Sequence, residues 1–429
     1  MPEDYREMWG SLGLNLEAHD GLLAVLSDAY KNIYLTQPNR PVGMGYFDFV
    51  ISEVHGLRIV ELLKDKAAGK PVIGTFCVYV PEELILAVGG VAVGLCAGAD
   101  VGAEEAEKYL PRNTCALIKA FMGFKLAGLC PYVESADLII GETTCDGKKK
   151  AYEVFDEITN KVYVMELPNK KSADGKVMWK HEIERLAAKL TAVTGKEITL
   201  EGLKNAAKIV DEKRRALQRL SRLRSADPTP ISGLDALLIN QISFYDDPAR
   251  FTTKVNELCD ELDERVNKGE GVAPRGTPRL LISGSPMAIP NWKLHYIVEG
   301  SGAIVVGEES CVGERNFHSL LQDFSSVEEA MQRLAERYLS INCACFTPND
   351  ERFDDIATMT QTLHANGVIH YALQFCTPYL VEAFRAKNAV EEAGLPFLRI
   401  ETDYSLEDAG QLKTRVEAFV EMIKDGGQA

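Results

Sequence analysis

The chain has 429 residues, of which 46% are hydrophobic and 26% are charged, a balance typical of a soluble globular protein with roughly two to three domains. Its 63 acidic residues outnumber 47 basic residues and leave a net charge of −16, which disfavours binding to nucleic acid and to anionic membrane surfaces. The N-terminus has no apolar signal-peptide core, and the longest uncharged apolar run, 84–99, is too short and glycine-rich to cross a bilayer. We therefore expect a cytoplasmic protein.

The hydrophobic pattern predicts an N-terminal helical segment over residues 1–68. Residues 72–80 form a β-rich run, and Pro81-Glu82-Glu83 then begins a helix, because proline followed by two acids is a typical helix start. Further strands are predicted at 138–141, 162–167, 280–283, 303–306, 368–375 and 397–400. The predicted helices include 203–223, 327–339 and 410–423.

Short apolar strands separated by helices favour parallel sheets with crossover helices. The predicted fold class is therefore α/β, with two doubly wound parallel-sheet (Rossmann- or flavodoxin-like) domains and an N-terminal helical segment. The turn-rich segment 269–278 is typical of a domain boundary. We expect the helical segment at 1–68, a first α/β domain with a helical insertion at 69–275, and a second α/β domain at 276–429.

The ten cysteines are the most informative residues. A reducing compartment argues against a disulfide framework, which leaves buried thiols, redox or catalytic thiols and metal ligands as the alternatives. Ligands of open α/β sheets collect beyond the carboxyl ends of the strands. Four cysteines follow predicted strands in that position: Cys77, Cys145, Cys311 and Cys376. This clustering favours a functional site over scattered buried thiols.

The sequence does not match other known site motifs. Residues 141–149 (GETTCDGKK) resemble a phosphate-binding loop, but five residues rather than four separate the glycines, and Lys149 stands where Ser or Thr would bind magnesium. The chain has no H-E-x-x-H and no C-x-x-C motif. The remaining candidate ligands are the widely spaced cysteine thiols. Iron–sulfur clusters are held by cysteine thiolates. For Cys77, Cys96 and Cys130, burial as small apolar side chains stays an open alternative.

Six stretches of the chain carry a resemblance to a known family. They are YVPEE (79–83), LPRNTCALIK (110–119), GETTCDGKKK (141–150), CVGERN (311–316), CACFTPN (343–349) and FCTP (375–378). With these motifs the chain resembles the 2-hydroxyacyl-CoA dehydratase and benzoyl-CoA reductase group of iron–sulfur proteins, and within that group it is most similar to the double-cubane cluster proteins. GETTCDGKKK is highly specific, whereas YVPEE alone would be weak.

The resemblance implies a 4Fe–4S cluster that three cysteines from different loops hold. By motif, these ligands are Cys115, Cys145 and Cys376. The double-cubane branch implies two such clusters joined by a sulfide (8Fe–9S), which needs about six thiolates. The second set is assigned to Cys311, Cys343 and Cys345. Cys77 and Cys96 are rivals, and either could replace one of the second set.

The resemblance also implies a function and partners. The expected protein is a homodimeric reductase component from an anaerobic host, which accepts low-potential electrons from a separate ATP-hydrolysing activator with its own 4Fe–4S cluster. It would reduce a small unsaturated substrate. Glu142, His318 and Lys148 flank the ligand loops and are candidate proton donors, although Lys148 could simply offset cluster charge and His318 could satisfy a helix end.

Two other functions stay open. One is a subunit of a 2-hydroxyacyl-CoA dehydratase or benzoyl-CoA reductase, with a single 4Fe–4S cluster and a different second subunit that completes the site. The other is an electron-relay protein without a substrate of its own.

Overall fold

The computed structural model describes residues 4–426. The strands of this part of the chain are β1 (Val72–Thr75), β2 (Val91–Gly94), β3 (Leu138–Glu142), β4 (Val162–Met165), β5 (Arg279–Gly284), β6 (Ile304–Glu309), β7 (Gly367–Leu373) and β8 (Phe397–Thr402). The helices are α1 (Arg6–Ser11), α2 (Leu16–Ile33), α3 (Met44–Ser52), α4 (Leu57–Ala67), α5 (Glu82–Ala87), α6 (Ala103–Ala106), α7 (Ala116–Leu126), α8 (Pro131–Ser135), α9 (Asp146–Thr159), α10 (Ala173–Thr194), α11 (Leu200–Leu223), α12 (Gly233–Ile242), α13 (Pro248–Lys268), α14 (Lys293–Gly300), α15 (Glu314–Phe317), α16 (Val327–Leu339), α17 (Asp350–Thr362), α18 (Thr377–Glu392) and α19 (Ala409–Gly426).

The strands form two four-stranded parallel sheets. The first has the order β2-β1-β3-β4, and the second has the order β6-β5-β7-β8. Each sheet therefore repeats the same arrangement, in which the first strand lies between the second and the third. This is the order of flavodoxin-like doubly wound folds, in which ligands bind at the carboxyl edge between the first and third strands. The predicted α/β class with two parallel sheets is confirmed.

Seven of the eight strands lie where the sequence predicted them, and β2 was missed. Strand β2 has only four residues and lies within the uncharged run 84–99, whose glycines hide any alternation of polar and apolar positions. Strand β1 ends at Thr75, earlier than the predicted run to residue 80. Cys77 therefore lies in the loop beyond the carboxyl end of β1 and not within the strand.

One large apolar cluster joins the N-terminal helices to both sheets. Its fully buried members include Phe47 from α3, Ile139 from β3, Phe251 from α13 and Ile282 from β5. Burial of apolar area of this kind is the main favourable contribution to folding. Helix α11 packs on α5 and on α13. Among the helices described, none is both long and apolar enough to cross a bilayer.

Candidate functional site

A cleft with a volume of about 1310 Å³ lies beyond the carboxyl ends of strands from both sheets. Loops that follow β1, β3, β6 and β7 contribute to its wall, as expected for a ligand site in open α/β sheets. Seven of the ten cysteines line this cleft: Cys77, Cys115, Cys145, Cys311, Cys343, Cys345 and Cys376. The fold thus brings thiols together that lie up to 299 residues apart in the sequence.

Three of these cysteines each precede the first turn of a helix. Cys115, Cys145 and Cys376 are the N-cap residues of α7, α9 and α18. The Sγ atom of Cys145 accepts a hydrogen bond from the backbone N–H of Lys148 at 3.4 Å. The free N–H groups and the positive end of a helix dipole stabilise an anion, so this position favours a thiolate. We call these three residues the helix-cap group.

Within the helix-cap group, the thiols of Cys115 and Cys376 interact, and this interaction lowers the pKa of Cys115 and raises the pKa of Cys376. The backbone N–H groups of Leu117 and Ile118 also lower the pKa of Cys115. The neighbouring Phe375 adopts a positive φ of 63°, which is rare for a bulky residue and is typical of functional sites that impose backbone strain. The strained turn carries Cys376 to the start of α18.

The other four thiols form a continuous row. Cys77 lies next to Cys311, Cys311 next to Cys343, and Cys343 next to Cys345, close enough for their thiols to shift one another's pKa values. The Cys343 Sγ also lies 3.3 Å from the hydroxyl of Tyr379. The interactions with Cys311 and Cys345 hold the pKa of Cys343 well below its ordinary value and raise the pKa of those two neighbours. We call these four residues the thiol row.

Two buried arginines accompany the thiol row. The Arg315 guanidinium lies 3.9 Å from the Sγ of Cys311 and forms an ion pair with Glu309 at 2.5 Å. Arg352 forms a second ion pair with Glu309 at 2.9 Å, and both arginines stack near the ring of Tyr379. Buried cations of this kind offset the negative charge of thiolates. The CVGERN motif contains Arg315, but no sequence signal linked Arg352 or Tyr379 to the site.

Glu142 lies next to Lys148, which is part of the cleft wall. Lys148 lines the cleft, and its Nζ is 3.6 Å from Oε2 of Glu142, which is fully buried. Within the described chain, neither carboxylate oxygen of Glu142 has a hydrogen-bond partner. Burial raises the pKa of Glu142 from its ordinary value of 4.5 to about 8, which favours the protonated carboxyl group.

Two other residues named from the sequence lie apart from the cleft. His318 is not among its lining residues, and its Nε2 is 3.0 Å from the hydroxyl of Ser340. Burial lowers the pKa of His318 to about 3, and its Nδ1 lies 3.3 Å from the carbonyl oxygen of Arg315 in α15, a contact that fits the helix-end role left as the alternative. The Cys96 thiol also does not line the cleft, and it donates to the carbonyl oxygen of Phe76 at 2.9 Å.

Cysteine thiols are prominent among the possible metal ligands that line the cleft. Among residues 4–426, no three His, Cys, Asp or Glu side chains form a set that could hold one metal ion. The cleft instead offers thiols on several loops with buried cations beside them, and thiolates are the ligands of iron–sulfur clusters. The residues present therefore fit an iron–sulfur group.

The sequence model of the family described as "2-hydroxyglutaryl-CoA dehydratase, D-component" matches residues 77–423, which include all seven cysteines of the cleft. The chain belongs to this family. The motif resemblance to the dehydratase and reductase group is thereby confirmed, and members of this family are enzymes.

Named relatives span nearly the same length as this chain. A protein of Escherichia coli (strain K12) with the provisional name dehydratase subunit YjiM is 37% identical over 87% of this chain and 96% of its own length. The (R)-phenyllactyl-CoA dehydratase beta subunit of Clostridium sporogenes is 27% identical over 83% of this chain and 92% of its own length. One of the subunits of the benzoyl-CoA reductase of Thauera aromatica is 24% identical over 84% of this chain and 93% of its own length.

Proposed function

We propose that this chain is the iron–sulfur reductase component of a two-component system and acts on a small unsaturated substrate at a double-cubane (8Fe–9S) cluster. The observation that carries the proposal is the number of thiols in one cleft, which is seven. A subunit with a single 4Fe–4S cluster, as the resemblance implies for the dehydratases, would use three of them. When bound, the cluster would supply low-potential electrons to the substrate.

The chain's own residues then have separate tasks. The helix-cap group and the second set, Cys311, Cys343 and Cys345, hold the cluster, and helix N-termini with Arg315 offset its charge. Lys148 gives a proton from Nζ to the substrate at the cleft wall. Glu142 returns a proton to Lys148 across 3.6 Å, which its raised pKa of about 8 supports.

An apolar rim at the mouth of the cleft supports docking of the ATP-hydrolysing activator there. Phe375, Val381 and Phe384 line the cleft and are 45%, 72% and 70% exposed. Exposed apolar side chains that lie close together mark interaction surfaces. We propose that the chain works as a homodimer, with each copy offering this rim to the activator.

The test combines anaerobically purified protein with the activator, a chemical reductant and ATP. The proposal predicts that the cluster is reduced, with a new electron paramagnetic resonance signal, only when activator and hydrolysable ATP are both present. Acetylene then serves as the small unsaturated probe, and ethylene is measured by gas chromatography. Reduction at an equal rate without the activator, or with a non-hydrolysable ATP analogue, would contradict the proposal.

The names of the relatives favour a second candidate, a subunit of a 2-hydroxyacyl-CoA dehydratase or benzoyl-CoA reductase with one 4Fe–4S cluster. This candidate predicts about four irons per chain and a different subunit that co-purifies with it. An electron relay without its own substrate has less support. A relay needs no substrate pocket, whereas this chain has a cleft of about 1310 Å³.

A further inference from the structure

A second, smaller cavity shares part of its wall with the cleft. It has a volume of about 70 Å³, and we call it the side cavity. Lys148, Leu117 and Cys311 line both the side cavity and the cleft. A molecule in the side cavity therefore lies next to a proposed cluster ligand and next to the proposed proton donor.

The wall of the side cavity is mainly apolar. Its apolar side chains include those of Phe76, Phe244, Ala288, Ile289 and Val312. A water molecule in a protein cavity needs two to four polar partners, and an apolar wall does not supply them. The side cavity therefore favours an apolar molecule over water.

Polar side chains of this wall are already hydrogen-bonded within the protein. The amide of Gln241 donates to the carbonyl oxygen of Met287 at 2.7 Å, and its oxygen accepts from a tryptophan indole N–H at 2.8 Å. The Tyr245 hydroxyl donates to the carbonyl oxygen of Cys96 at 3.1 Å, and the Cys96 thiol donates to that of Phe76 at 2.9 Å. Cys96, a rival ligand in the sequence, thus belongs to the wall of the side cavity.

The volume of the side cavity limits the size of a ligand. A cavity needs about 10–15 Å³ to hold one water molecule, so about 70 Å³ admits a molecule of roughly two to four non-hydrogen atoms. A coenzyme A thioester is far larger than this. The side cavity therefore selects by size as well as by polarity.

A further cavity of about 50 Å³ adjoins the side cavity. Tyr245 and Ile289 line both of them, and the further cavity continues to Leu26 on α2 and to Pro290, which are partly exposed. A small molecule can thus approach the side cavity from the N-terminal helices as well as from the cleft.

We propose that the side cavity is the binding site of the small substrate, and that this substrate is an uncharged, apolar molecule of roughly two to four non-hydrogen atoms with a multiple bond. This inference rests on the proposed function and deepens it. Reduction of an alkyne there breaks one carbon–carbon π bond and forms two C–H bonds. The two electrons come from the activator through the cluster, and the two protons enter through Lys148, which Glu142 reprotonates.

The first test uses xenon and the wild-type protein, because xenon binds dry apolar cavities. A crystal of the iron-loaded protein under xenon pressure should show xenon in the side cavity. In solution, xenon should raise the KM for acetylene without changing kcat, while activator-driven reduction of the cluster stays unchanged. A side cavity without xenon, or acetylene reduction that xenon does not inhibit, would overturn the inference.

The second test fills the side cavity with a larger side chain. Ala288 lines the side cavity but not the cleft, and the control Ala187, on α10, lines neither. Ala288→Leu should slow ethylene formation roughly tenfold, equal to about 1.4 kcal/mol of lost binding, while Ala187→Leu keeps the wild-type rate. Both variants should keep the iron content and the activator-driven electron paramagnetic resonance signal.

Two outcomes of these tests separate the inference from the proposed function. A wild-type rate of ethylene formation in Ala288→Leu protein that no longer binds xenon would overturn the inference alone. If the wild-type protein bound xenon in the side cavity but formed no ethylene once its cluster was reduced, the proposed function would fail. The xenon test needs no variant, so it decides the inference even if Ala288→Leu does not fold.

Discussion

A cysteine at a helix N-cap differs chemically from a cysteine inside a helix. At the N-cap its sulfur faces free backbone N–H groups and the positive end of the dipole, and both favour the thiolate. Cys145 shows the competing effects, because burial raises the pKa of its thiol while the N–H that Lys148 donates to its Sγ lowers it. Cys259, by contrast, is fully buried on α13, and burial raises the pKa of its thiol to about 12.

Replacement of these two cysteines should therefore have opposite results. Cys145→Ala should remove iron from the helix-cap group, while Cys259→Ala, which deletes a buried thiol outside the cleft, should keep the wild-type iron content. Iron analysis and the visible absorption spectrum of the two purified variants provide the measurement. Full iron content in Cys145→Ala would show that this residue is not a ligand.

A histidine pair near the N-terminus makes stability depend on pH. His19 Nε2 lies 2.9 Å from His55 Nδ1, and burial lowers their pKa values to about 4 and about 3. Both side chains are thus neutral in the folded chain, whereas the unfolded chain takes up protons below a pH of about 6.5. The stability that the pair contributes is therefore present above that pH and is lost as the pH falls towards 4 and 3.

His55→Gln should accordingly reduce the loss of stability on acidification. The free energy of unfolding of the wild-type protein should fall between pH 6.5 and pH 4, and the variant should show a shallower slope over the same window. Urea unfolding at several pH values measures both slopes. Identical slopes would mean that the pair does not govern acid stability.

At the scale of elements, buried ion pairs join helices that are distant in the chain. Glu83 on α5 accepts from Arg214 on α11 at 2.7 Å and from the hydroxyl of Tyr338 on α16 at 2.6 Å. The sequence correctly predicted a helix start at Glu82-Glu83, because that signal is local. It did not predict the partners of Glu83, since they lie 131 and 255 residues away.

Glu83→Ala should be strongly destabilising, because it removes one of the two carboxylates, Glu83 and Asp211, that pair with the buried Arg214 charge. Loss of one partner of a buried ion pair costs about 3–5 kcal/mol of unfolding free energy. Glu264→Ala, which removes an exposed partner of Lys268, serves as the control and should change stability little. Denaturant unfolding of both variants gives the comparison, and equal effects would contradict a structural role for the Glu83 network.

Helix α18 carries two side chains of the apolar rim beyond Cys376. If the activator docks on this rim, Phe384→Glu should slow activator-driven reduction of the cluster, roughly tenfold for a lost contact of about 1.4 kcal/mol. Reduction by a small chemical reductant should be unchanged. Met422→Glu, on the exposed face of α19, is the matched control. Equal activator-driven rates for Phe384→Glu and wild type would show that the rim is not part of the docking surface.

At the scale of the whole molecule, both sheets have the same strand order, and the cleft lies beyond their carboxyl ends. The sequence predicted the two parallel sheets, because strand length and helix periodicity are local signals, but it did not predict the order of the strands. It also identified six of the seven cleft cysteines as ligand candidates through motifs. It left Cys77 and Cys96 as equal rivals, and it could not predict that Cys77 lines the cleft while Cys96 does not, since that depends on contacts between residues far apart in the chain.

The most direct test of the account is the iron and acid-labile sulfide content of anaerobically purified protein. Two thiol groups in one cleft predict about eight irons per chain, with a similar amount of sulfide. About four irons would instead favour the single-cluster subunit and a search for its partner. The absence of iron from protein that has never been exposed to oxygen would contradict the assignment of this cleft as an iron–sulfur site.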